Sequence, residues 1–189
     1  ISKFTAWLNN YEIYEISTHK KYTLQDFEDL LRKLIIRAGI KDIRLAFLFD
    51  EANALETTFL EHMNALLASG EVPGLFEGEL MTQLLNQARE QIEKLRADEV
   101  QKLPKQNAKD EEILAWITRR VQANLHIVFC MNPPAKTKSQ SGLQSTAASS
   151  PALFNRCVIV WMGDWNFGSF LQVSNGLLQE IDFSGENID

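Results

Sequence analysis

Leu45-Ala46-Phe47-Leu48-Phe49 places five apolar residues in a row, without alternation, directly ahead of Asp50 and Glu51. A strand with one wet face would alternate apolar and polar residues. An unbroken run suits a strand covered on both faces, as in a parallel sheet packed between helices. Open α/β sheets bind ligands in the crevice outside the carboxyl ends of their strands. Two adjacent carboxylates at such an end are therefore candidate ligand groups. Taken alone, a core strand ending in solvated acids explains the run equally well.

The flanking sequence supplies the rest of an α/β pattern. Residues 1–9 read as an amphipathic helix, with Phe4, Trp7 and Leu8 on one side and Asn9-Asn10 ending it. Tyr11 to Ile16 alternates and predicts a strand near a sheet edge. Thr23, with Asp26 three residues on, is a capping signature. Leu24, Phe27, Leu31, Leu34 and Ala38 then keep helical rhythm, and Gly39 is expected to close that helix at C′. The opening strand falls at about 43–49. Phe59 to Leu67 predicts a further helix, running out at Ser69-Gly70, and Glu71 to Gly78 a turn-rich loop. Two helices at about 79–123, interrupted near Pro104, read as an insert, because an ordinary parallel crossover needs one.

Leu125 to Cys130 is expected as a third strand, followed by Met131-Asn132-Pro133-Pro134. Residues 135–150 read as a flexible surface loop, and Pro151 opens a short helix or turn reaching Arg156. Cys157 to Trp161 is expected as a fourth buried strand, and Asp164-Trp165 begins a C-terminal helix over 165–181. The whole is expected to be one α/β unit of parallel strands.

Composition narrows the function classes. A formal net charge of −6 with no basic block argues against a nucleic acid held by phosphate contacts. No apolar stretch has the length of a bilayer span, so no membrane partner is expected. The first residues form no signal peptide and lack an initiator Met, and Ile1 reads as helix interior. The expectation is a piece of a longer chain. Cys130 and Cys157 adjoin apolar runs and read as buried free thiols. His126, inside an apolar strand, reads as a core histidine, and no zinc-type spacing links His19, His62 and His126.

Asp50 and Glu51, then Asn132, then Arg156 decorate successive strand boundaries. Asn132 alone is a turn former and Arg156 alone a surface cation. Their joint order fits a P-loop nucleotidase, whose water attack on a γ-phosphate needs Mg²⁺, a carboxylate and a polar positioning group. The opening run then has the pattern of a Walker B strand.

Several segments carry a more specific resemblance. These are Leu48 to Asn53, Phe59 to Ala68, Gly70 to Gly78, Asn124 to Phe129 and Ser150 to Cys157. Together they resemble the dynein heavy chain, and within it the fourth AAA+ module of the motor ring. The Met131-to-Pro134 and Ser150-to-Cys157 segments look cytoplasmic rather than axonemal. The resemblance implies an AAA+ α/β fold in which Asp50 supports Mg²⁺ and Glu51 is the catalytic acid. Asn132 would be the sensor I residue, contacting the γ-phosphate of ATP. Arg156 would be an arginine finger reaching the preceding module's nucleotide.

It further implies ATP/ADP and Mg²⁺ as cofactors, neighbouring AAA+ modules as partners, and a heavy-chain dimer with accessory chains. Microtubule contact would lie in other parts of the motor, and the setting would be the cytoplasm and its cytoskeleton. The strand order implied would separate Cys130 from Cys157 by the P-loop strand, too far for a disulfide.

No G-x-x-x-x-G-K-[ST] occurs in the 189 residues. The resemblance implies that this loop, with its strand, lies directly before Ile1, and that a helical lid follows Asp189. The segment is thus expected to hold half of an ATP site and, by itself, neither to bind ATP tightly nor to hydrolyse it. Three functional readings stand at this point. They are a regulatory ATPase module of a minus-end-directed microtubule motor, a ring module in which nucleotide is only structural cement, and a midasin-like AAA+ ATPase of ribosome assembly.

Overall fold

The computed structural model describes residues 1–16, 22–50, 57–97, 103–131 and 155–179. Strands β1 (Glu12–Glu15), β2 (Leu45–Asp50) and β3 (Leu125–Cys130) form one sheet in the order β1-β2-β3. Both pairings are parallel, with Glu12 opposite Leu45 and Leu45 opposite Leu125. Helix α1 (Ser2–Leu8) precedes β1, and α2 (Leu24–Ile35) links β1 to β2. Three helices, α3 (Thr57–Ser69), α4 (Glu79–Ala97) and α5 (Asp110–Asn124), lie between β2 and β3. Parallel neighbours joined through helices are what the unalternating β2 sequence requires.

Every apolar residue of β2 from Leu45 to Phe49 is buried, so the central strand is covered on both faces. The two faces differ in depth. Leu45, Phe47 and Phe49 belong to the main core, where Phe49 meets Phe27 of α2 at 6.2 Å and Phe129 of β3 at 5.6 Å. Phe27 in turn stacks on Phe59 of α3, with ring centroids 4.4 Å apart and planes 8° from parallel.

Ala46 and Leu48 face the other way, beside His126 of β3. Ala46 and Leu48 are themselves buried, and the cover thins only at β3. His126 is exposed, and its ring meets Tyr11 edge-on at 5.0 Å with the Tyr11 hydroxyl 3.3 Å from Nε2. The expectation of a core histidine is therefore corrected: among the described residues β3 is the last strand of the sheet, and little is packed on its second face. Cys130 is likewise exposed and Cys157 half-buried, where buried thiols were expected; both are free.

Local chemistry accounts for the helix boundaries. Thr23 and Asp26 form the expected capping box: Thr23 Oγ1 accepts from the Asp26 amide, and Asp26 accepts from the Thr23 amide at 2.8 Å. At the other end the structure departs from expectation. Gly39 is not a left-handed C′ residue. It is buried inside a π-helical turn, Ile36–Ile40, that continues α2. The left-handed position is Asp42, at φ 60°, three residues ahead of β2. The cause is close packing, since a Cβ at Gly39 would stand 2.7 Å from Ile117 Cγ2 of α5. Only glycine lets the two helices approach this closely. Gly70, at φ 80°, does end α3 as expected.

The chain divides into two compact units, residues 1–157 and 158–189. In the second, α6 (Phe167–Leu178) starts at Asn166, whose side chain accepts from the Ser169 amide at 2.8 Å, slightly later than the predicted start at residues 164–165. The fourth strand expected at 157–161 is not formed. Val158 is 91% exposed and Ile159 61%, and no described strand pairs with them. An apolar run becomes a strand only where a neighbouring edge takes up its backbone groups. Residues 135–150 and 151–154 lie outside the described residues.

Candidate functional site

β2 begins after the turn at Asp42 and delivers Asp50 as its last residue, exposed where the five residues before it are buried. The burial of Phe49 and the exposure of Asp50 mark where the core stops and the rim of the sheet begins. The parallel register sets Asp50 opposite Cys130, the last residue of β3. The two strands therefore end level. Glu51 follows Asp50 directly, and Asn132 follows Cys130 by two residues. Glu51 and Asn132 themselves lie outside the described residues.

Arg156 is exposed and, with Asn155, helical, in the same compact unit as the sheet. Beside it, burial pushes the Cys157 thiol above its ordinary pKa. It stays protonated at neutral pH and is a poor nucleophile.

Among the described residues no three His, Cys, Asp or Glu side chains gather into a metal cage. Asp50 is the described carboxylate at the rim. A cavity of about 330 Å³ lies elsewhere, lined by Val72, Phe76, Met81, Leu84 and Leu114. None of these is a strand-end residue, so the cavity and the rim are separate features.

One buried polar residue away from the rim had no clear signal in the sequence. Asn124, the last residue of α5, is buried, and its amide donates to the Ala38 carbonyl at 3.0 Å and to Asp42 Oδ1 at 2.7 Å. An asparagine directly ahead of an apolar run was the available hint.

The whole chain, residues 1–189, matches the family model described as P-loop containing dynein motor region D4. The chain belongs to this family. The D4 region described here is similar to the cytoplasmic dynein heavy chain of Drosophila melanogaster, at 44% identity over 189 residues. That match covers 99% of this chain and 4% of the fly protein. The heavy chain of Fusarium vanettenii is 43% identical over 191 residues, covering 100% of this chain and 4% of its own. The Saccharomyces cerevisiae heavy chain is 38% identical over 181 residues, or 96% and 4%. The D4 region thus spans about 4% of the length of these relatives. Its parallel sheet with flanking helices is the AAA+ α/β fold expected from the dynein resemblance.

Proposed function

We propose that this D4 region carries the Walker B and sensor half of an ATP site in a regulatory module of a dynein motor. The observation that supports it is the level ending of β2 and β3, with Asp50 opposite Cys130. In the sequence Glu51 follows Asp50 directly and Asn132 follows Cys130 by two residues, which supports roles for both near these strand ends. Asp50, exposed at the rim, would support Mg²⁺, which when bound neutralises charge on the phosphate oxygens. Glu51 would orient the attacking water and accept its proton. Asn132 would hold that water through its amide and contact the γ-phosphate. Arg156 would reach the nucleotide of the preceding module and stabilise charge there.

In this reading the partners are the adjacent AAA+ modules, and the heavy chain works as a dimer with accessory chains. Microtubule attachment lies in other parts of the motor, which moves in the cytoplasm along the cytoskeleton. The relatives' names supply the dynein identity, and the residue roles rest on the motif positions.

Glu51→Gln in the full motor is the test. The charge of the water-orienting group is lost while its shape is kept, so nucleotide should still bind. Turnover at this module and the speed of movement should fall, with nucleotide retained. Unchanged turnover and movement would instead support the reading in which nucleotide only cements the ring.

A further inference from the structure

We propose that Asn124 is a positioning residue for the nucleotide site at the far end of the sheet, a role that rests on the function proposed above. It pins β2 and β3 in register.

The argument begins with what the strands lack. β2 is apolar at every position before Asp50, so polarity discriminates weakly among neighbouring registers. A parallel pair also has no hairpin turn to fix its alignment. Yet the rim depends on that alignment, because moving β3 by one residue would change which residue lies opposite Asp50.

Asn124 supplies the constraint at the opposite end. It is the last residue of α5, and β3 starts at Leu125 with no residue between. Its amide holds the Ala38 carbonyl within the π-helical turn and Asp42 Oδ1 just before β2. The same Oδ1 takes Arg120 Nη2 at 3.0 Å, and the Arg120 guanidinium lies 4.5 Å over the Trp116 ring. Asp42, at φ 60°, makes the sharp bend that aims the chain into β2. Gly39 against Ile117 closes the contact on the other side. The starts of two adjacent strands are therefore tied together through one side chain. Six residues of strand, roughly 20 Å, carry that alignment to the rim.

The test uses the full motor with its other nucleotide sites inactivated. Asn124→Leu removes both donors at similar size. Asp42→Gly keeps the left-handed backbone but removes the acceptor, whereas Asp42→Asn keeps an acceptor oxygen. We expect Asn124→Leu and Asp42→Gly to lower turnover on the order of tenfold or more, as small misplacements of reacting groups do. Affinity for a fluorescent ATP analogue should stay within about twofold of the parent, and Asp42→Asn should restore turnover. Unchanged turnover in Asn124→Leu overturns the proposal. So does loss of binding and turnover together in all three variants.

A second measurement separates failure of this idea from failure of the functional reading. Ala46→Cys with His126→Cys places two thiols at register partners. Their oxidative cross-link should form readily, and Asn124→Leu should cut its yield several-fold. An undiminished yield overturns the register pin even if this module proves not to hydrolyse ATP.

Discussion

At Gly39 the absence of a side chain is a packing requirement. The site where a Cβ would stand is 2.7 Å from Ile117 Cγ2, 3.0 Å from Val121 Cγ2 and 3.2 Å from the Ile117 carbonyl oxygen. Gly39→Ala should therefore destabilise the region by about 1–3 kcal/mol through overpacking, even though alanine is the better helix former. Local hydrogen exchange in the π-helical turn and in α5 is the measurement, and both should lose protection. A gain in protection would show that propensity outweighs the clash. This residue also shows where the sequence was readable and where it was not. A glycine after a helical run signals a C′ position, and the same signal at Gly70 was right. What changes the outcome at Gly39 is a helix about eighty residues downstream, as the Gly39–Ile117 contact shows, and no local pattern records it.

Element by element, legibility followed how local the cause was. α2 was plain in the sequence because its signals are its own: a capping box at Thr23 and an apolar face that buries Phe27, Leu31 and Leu34. Thr23→Ala should remove about 1 kcal/mol from the start of this helix. Amide exchange in its first turn should quicken roughly fivefold while the Phe27 core contacts persist. Equal exchange in both proteins would mean that tertiary packing alone holds the turn.

β2 was equally legible, since an unalternating run ahead of two acids has few other uses. The run at 157–161 looked the same and is not a strand. Apolar composition gives a segment the tendency to pair, but a partner edge must be present to satisfy it. Asp50 could be placed from sequence because it ends its own strand. Its neighbour Cys130 could not, because cross-strand register is a tertiary fact.

At the scale of the whole molecule, the role proposed for Arg156 concerns a neighbouring module. Arg156 would serve a nucleotide held by the preceding module, so its loss should be felt outside this segment. Arg156→Ala in the full motor should leave nucleotide binding to this module intact and slow hydrolysis at the preceding one, on the order of a hundredfold or more for an arginine finger. Measurement of nucleotide turnover at that neighbouring site decides it, and unchanged turnover there excludes the trans role.

The direct passage from α5 into β3 has a consequence for how this region tolerates change in length. A residue inserted between Asn124 and Leu125 would turn the helix by about 100° relative to the strand. Ile117 and Val121 would swing away from Gly39, and Asn124 from Asp42. Ahead of α5 the tie is of another kind, from helix to loop: Arg96 Nη2 of α4 donates to the Pro104 carbonyl at 2.6 Å. Lengthening or shortening of the helical insert is therefore confined to its outer end, while the junction nearest the sheet keeps a fixed count of residues.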